Sequence, residues 1–221
     1  MTSPVGRDAS FSRTDHTRRA ILDATERLVA ERGIVGVTDR QIAEAANQGN
    51  NAAVGYHFGT KADLVRAIER RHAGQIELML QQRLDEIGNS TDLRDWIACL
   101  VLPFTDHLAS LGDFACYARF TSRVMTNPTY AKIFTESALR SHALARVIKG
   151  IDRCTSELPA SVRIERRKMA VILMIHPTAD YECEFTQRSS VHQGDWSSYG
   201  SGVIDAIVGL WQAPITPKPR R

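Results

Sequence analysis

No run in this 221-residue chain comes near the roughly 18 consecutive apolar residues that cross a bilayer, so no membrane partner is expected. Met1 to Ser12 is polar and has no hydrophobic stretch of the leader-peptide kind. Cysteine is sparse: Cys99, Cys116, Cys154 and Cys183 stand far apart, with no Cys-x-x-Cys pair. That spacing counts against a zinc ribbon or a disulfide scaffold and points to reduced thiols in a cytoplasmic protein. Charge of one sign is lacking too. The chain carries a formal +3, and residues 1–73 hold 11 Lys and Arg against 9 Asp and Glu, only +2. So weak a field counts against an indiscriminate coater of DNA, whose affinity rests on many phosphate contacts. Gly-x-Ser-x-Gly, a glycine-rich phosphate loop and His-Glu-x-x-His are all missing, which removes the commonest sequence signatures of catalysis. No cofactor and no catalytic residue is expected.

What the chain does have is helical periodicity from end to end, and the expected class is all-α. Alternation of the β type is nowhere sustained. Residues 1–13, with Pro4, Gly6 and several Ser and Thr, read as a disordered arm whose Arg7 and Arg13 could reach a minor groove. From Thr14, Ile21, Ala24 and Leu28 recur at helical spacing until Gly33 closes the segment. Thr38 is expected to cap the next helix, and Thr60 the one after the following turn, with Asp63 completing an approximate capping box. The segment from Thr60 reads as one helix to Gly88 or as two, broken near His72-Ala73-Gly74. Beyond it, helices are expected at about Asp92–Leu111, Asp113–Met125, Pro128–Thr155, Val162–Gln187 and Trp196–Trp211. Pro103 and Pro177 fall inside apolar runs and should kink or split their helices. The domain plan is an arm (1–13), a head (14–72), a body (73–213) and a flexible tail (214–221).

The densest information lies between Thr38 and Lys61, TDRQIAEAANQGNNAAVGYHFGTK. Ile42, Ala43 and Ala46 load one face of a short helix. Asn47 to Asn51 form a turn rich in residues that tolerate positive φ or bond their own backbone. A second short helix is expected from about Ala52 to His57. A surface helical hairpin fits this pattern, and so does a helix-turn-helix, whose second helix must be short and lightly loaded to enter the major groove. Ala52, Ala53 and Gly55 would let the backbone approach base edges, while Asn50 and Asn51 could cap the helix or pair with an adenine edge. Tyr56, His57 and Lys61 suit phosphate oxygens.

In these residues the chain resembles the DNA-binding domain of the TetR (tetracycline-repressor) family of bacterial transcriptional regulators. The likeness runs from Thr17 to about Ile68: Ala20-Ile21-Leu22-Asp23-Ala24, Glu31-Arg32-Gly33, Val37-Thr38, Ile42-Ala43, Tyr56-His57-Phe58-Gly59-Thr60-Lys61 and Leu64. Ordered motifs over this length are far more specific than any one alone. The turn at Ala46-Asn47-Gln48-Gly49 is one residue longer than the family's usual one. The resemblance implies a three-helix head bearing Thr38, Arg40, Gln41, Asn50, Asn51, Ala52, Tyr56, His57 and Lys61 as DNA contacts.

It also implies a helical body that binds a ligand and dimerises. Met169, Ile172, Leu173, Val203, Ile207, Leu210 and Trp211 sit on two apolar helices loaded more broadly than a single stripe requires, which fits either a homodimer interface or a large monomeric core. Trp96, Phe104, His107, Phe114, Tyr117, Phe120, Met125, Phe134, His142 and His176 mix aromatic and polar groups as lipophilic pockets do, although the aromatics could simply fill the body. His176, Asp180 and Glu184 share a helix face, but three groups spread over some 12 Å do not converge on one ion, and no metal is expected. The function expected is a homodimeric regulator, a repressor released from a palindromic double-stranded DNA operator by a small lipophilic ligand. An all-helical enzyme acting on a lipophilic molecule, and a ligand-independent architectural DNA-binding protein, are the alternatives.

Overall fold

The computed structural model describes residues 8–112, 115–187 and 195–216, and every regular element among them is a helix. The chain falls into two compact units. One combines residues 1–73 with 116–136, the other residues 74–115 with 137–221.

In the first unit, α1 (Asp8–Arg32) buries Ile21, Ala24, Leu28 and Val29 and closes at Gly33, which has φ 75°. Helix therefore reaches back into residues 8–13, where a disordered arm was expected. After Gly6 no glycine or proline interrupts a helix already nucleated downstream. Residues 1–7, including Arg7, lie outside the described residues. Helix α2 (Asp39–Ala45) begins at a complete capping box: the Thr38 hydroxyl accepts from Gln41 N–H, and Gln41 Oε1 accepts from Thr38 N–H at 2.9 Å. It ends in a Schellman arrangement, with Gln48 N–H donating to Ala43 O at 2.9 Å and Asn47 N–H to Glu44 O at 3.0 Å. Asn47 takes the left-handed conformation this needs, at φ 55°.

Helix α3 (Ala53–Phe58) is a single buried anchor, Val54, between two turns. Asn50 Oδ1 accepts from Ala52 N–H at 2.9 Å on one side, and Gly59 at φ 79° stops the helix on the other. Helix α4 (Lys61–Ile87) starts at the expected box, where the Thr60 hydroxyl donates to Asp63 at 2.6 Å. That hydroxyl bond, followed by the Thr60 backbone bond, holds the Asp63 carboxyl below its ordinary value. The helix runs unbroken through Gly74 into the second unit; an interior glycine costs about 1 kcal/mol, too little to end a helix carrying buried residues on both sides.

Helix α6 (Tyr117–Met125) completes the first unit by packing on α1, and most of α7 (Pro128–Arg140) belongs there too. Between α1, α4 and α6 lies a buried polar cluster. His72 Nε2 is 3.0 Å from Glu26, and the Tyr117 ring stacks on the imidazole at 3.7 Å. Burial, then the nearby Glu69 charge, pushes the Tyr117 hydroxyl far above the ordinary phenol value.

The second unit packs α5 (Leu93–Leu111), α8 (His142–Cys154), α9 (Ala160–Gln187) and α10 (Trp196–Gln212) around Leu84, Trp96, Ile97, Val101, Val147, Ile151, Ile204 and Ile207. Where one helix was expected over Pro128–Thr155 there are two, because Ser141 leaves the helix to cap α8, accepting from Leu144 N–H at 2.9 Å. Glu77 of α4 fastens the same corner by accepting from the Ser141 hydroxyl at 2.6 Å. Neither Pro103 nor Pro177 splits its helix. Each helix continues past its proline, with Val101 and Phe104 buried around one and Ile175 and Thr178 around the other. No helix among the described residues is long and apolar enough to cross a membrane.

Candidate nucleic-acid interface

Of the residues from Asn50 to Tyr56, only Val54 is buried. Asn50, Asn51, Ala52 and Gly55 are exposed, a Cβ added at Gly55 would meet nothing within 4 Å, and the Tyr56 side chain is 85% exposed. A hairpin helix that merely covered a core would bury alternate turns. Here the exposed Asn50, Asn51 and Ala52 lead into α3, and Gly55 and Tyr56 are exposed within it.

The other expected contact residues divide by what already occupies them. Thr38 and Gln41 hold each other in the capping box, and Arg40 pairs with Glu44 at 3.6 Å on an exposed face. His57 is half-buried, edge-on to Tyr56 with ring centres 5.1 Å apart. Lys61, expected on phosphate, turns inward instead: its ammonium donates to the carbonyls of Ile34 and Val37 in the loop joining α1 to α2. A flexible four-carbon stem reaches those carbonyls from the first turn of α4, and carbonyls left bare by an irregular loop are strong acceptors. Lys61 thus ties the loop to α4.

A residue not expected in the interface bears on it directly. Arg18 of α1 donates to the His57 carbonyl at 2.6 Å and lies over the Phe58 ring, 4.4 Å from its centre. Nothing local in the sequence marks this contact, which joins residues 39 positions apart.

The expected ligand residues are distributed over both units. Trp96 is in the core of the second unit, its ring so close to Gly150 that an added Cβ would lie 2.1 Å from it. Phe104 and His107 are buried farther along α5, the latter about 16 Å from Trp96 along the helix axis. Tyr117 and Phe120 are core residues of the first unit, their rings stacked 6.2 Å apart, while Met125 and Phe134 are half-buried there. His142 is exposed and His176 half-buried; Phe114 lies outside the described residues. Among the described residues no three His, Cys, Asp or Glu are grouped to hold a metal.

Two hollows lie among the described residues of the second unit. An open groove of about 470 Å³ between α9 and α10 is lined by Leu173, Pro177, Tyr181, Tyr199, Gly202 and Ala206 among others, and a hollow of about 420 Å³ lies beside Thr91, Cys154 and Trp211. Neither contains an expected ligand residue.

The expected dimer residues also separate. Val203, Ile207 and Trp211 are buried in their own unit's core and are not available to a partner, a correction to the face read from the sequence. Broad apolar loading of α10 serves α5 on one side and α9 on the other. Leu173 and Leu210 are half-buried, while Met169 is 49% and Ile172 56% exposed.

A three-helix head with a protruding, lightly loaded third helix, joined to a larger helical unit, is the architecture of helix-turn-helix regulators. Residues 21–68 match the family model described as bacterial regulatory proteins, tetR family. No curated protein matches the chain. Among solved structures, NalD of Pseudomonas aeruginosa, the secondary repressor of the MexAB-OprM multidrug efflux pump, shares 21% identity, with 88% of this chain and 94% of that one covered at a TM-score of 0.50. A TetR-family regulator from Mesorhizobium loti shares 10% identity, with 90% and 96% covered at a TM-score of 0.48. At such identities the likeness is one of fold.

Proposed function

We propose that this chain is a cytoplasmic homodimeric repressor that reads a palindromic operator with α3. The observation that carries the reading is the exposed surface from Asn50 to Tyr56, interrupted only by buried Val54 and half-buried Ala53. Asn51 and Ala52 face base edges, Tyr56 and Asn50 fix the register on phosphates, and the Thr38–Gln41 box presents the start of α2 to the backbone. A single six-residue helix reads few base pairs, so a two-fold pair of heads on successive major grooves supplies the missing discrimination. The pairing surface is the outer face of α9 and α10. Met169 and Ile172 are exposed there, and Gly202 and Gly209 have no atom within 4 Å of an added Cβ, leaving room for a partner helix to come close. The sense of regulation follows NalD, which is a repressor.

Release by a small lipophilic ligand completes the proposal. Phe104 and His107, one turn apart and buried on α5, are the polar–aromatic pair best suited to a ligand once Trp96 and Phe120 are assigned to the cores. The helix α4 is the covalent route from that unit to the head. A ligand shifts DNA affinity only by binding the two states unequally, typically by about 1–3 kcal/mol. No catalytic group belongs to this reading.

Selection of bound duplexes from a random pool is the test. The expected product is a palindrome with half-sites about one helical turn or slightly more apart, protected as a pair in footprinting. A pool that stays random after repeated rounds overturns the reading.

A further inference from the structure

A helix of six residues does not hold its own direction. Its nucleation is unfavourable, it has one buried side chain, and no side chain caps its first residue directly. Whatever fixes the far end of α3 therefore bears on the direction of the helix and on where Tyr56 points. That end carries the partial negative charge of the last carbonyls. The Arg18 guanidinium meets it in two ways at once: an N–H donates to the His57 carbonyl at 2.6 Å, and its Cζ lies over the Phe58 ring, 4.4 Å from the ring centre. One planar cation thus fixes both the last turn of the helix and the aromatic side chain that seats it. Arg18 springs from α1, three residues before Ile21, which is fully buried, so the fixture is referred to the rigid core of the head rather than to another loop.

We propose that Arg18 is the positioning residue of the reading helix: it sets the tilt of α3 and hence sequence discrimination, without contributing a phosphate contact of its own. The inference rests on the DNA-reading assignment of the head. It also separates Arg18 from the usual role of an arginine beside DNA, because a guanidinium engaged by a carbonyl and a ring face is held away from the phosphates.

The experiment compares the full chain with Arg18→Met and Arg18→Lys on the duplex selected by the wild type and on an unrelated duplex, over a series of salt concentrations. Both variants are expected to bind the selected duplex roughly tenfold more weakly, the scale of one misaligned base contact, and the unrelated duplex within about twofold of wild type. The slope of log affinity against log salt stays that of the wild type. Lysine does not rescue, since an ammonium lacks the plane that spans carbonyl and ring. Hydrogen exchange gives a reading without DNA: the amides of Tyr56 and Gly59, bonded to Ala52 O at 2.9 Å and Gly55 O at 2.8 Å, exchange faster in Arg18→Met. Should Arg18→Met fail to fold, Phe58→Leu removes the ring face while keeping an apolar side chain, and the same loss of discrimination is expected in smaller measure. Equal losses on both duplexes, a slope reduced by about 0.9, and full rescue by lysine would mark a phosphate contact and overturn the proposal. A wild-type chain that selects no duplex overturns the DNA reading itself, whereas a selective wild type with fully selective variants overturns only the role of Arg18.

Discussion

At the scale of single residues, two side chains that look alike in the sequence separate in the structure. Lys61 and Asn51 are both polar and flank the reading helix, yet Lys61 is turned onto the Ile34 and Val37 carbonyls while Asn51 is exposed. Lys61→Met is expected to lower the stability of the chain by about 1–3 kcal/mol in urea denaturation, the cost of leaving carbonyls of an ordered loop unmatched. The salt slope of its DNA binding should stay that of the wild type. Asn51→Ala should leave stability within about 0.5 kcal/mol and relax preference at one operator position, by about 1–3 kcal/mol in competition binding. Equal loss across operator variants would remove Asn51 from the reading set. The Lys61 result follows from chain geometry that no local pattern contains, since its partners are 24 and 27 residues away.

At the scale of elements, helix ends were legible and helix partners were not. Thr38, Thr60 and Ser141 are short polar residues whose oxygens satisfy amides three positions on, so their capping roles are written locally. Contact between α5 and α8 depends instead on Gly150 lying under Trp96. Gly150→Ala places a methyl carbon 2.1 Å from the ring and should destabilise the chain by roughly 1–3 kcal/mol or more in thermal or urea denaturation, through displacement of the indole. In the same helix Cys99 is buried, and burial pushes its thiol from the ordinary 9.0 up to about 11. The unfolded chain therefore loses this proton first. Stabilisation by the neutral thiol is complete below pH 9 and is lost as the pH climbs toward about 11. Alkylation at pH 8 should leave Cys99 unmodified in the folded protein and modify it once urea is added. Rapid labelling of Cys99 without denaturant would show α5 to be loosely packed.

For the whole molecule, the proposed pairing rests on the outer face of α9. Ile172→Asp places a charge on a side chain that is 56% exposed, so the monomer should fold with its thermal midpoint little changed. Under the proposed pairing the same change should give a monomer in sedimentation and weaken operator binding by roughly 10²-fold or more, the loss of linked half-site engagement. Val203→Asp, by contrast, buries a carboxylate in the core and should unfold the second unit. A dimer that survives Ile172→Asp would move the interface elsewhere.

The amino-acid sequence alone determined the all-helical class, the helix-turn-helix between Thr38 and Lys61, and its capping residues, because periodicity and caps are relations between residues a few positions apart. Tertiary structure decided which apolar residues of α10 serve the core, which aromatics fill it, and that Arg18 and Lys61 brace the head. Those outcomes depend on neighbours brought together from distant parts of the chain. An apolar side chain looks the same in a sequence whether it packs on its own fold or waits for a partner.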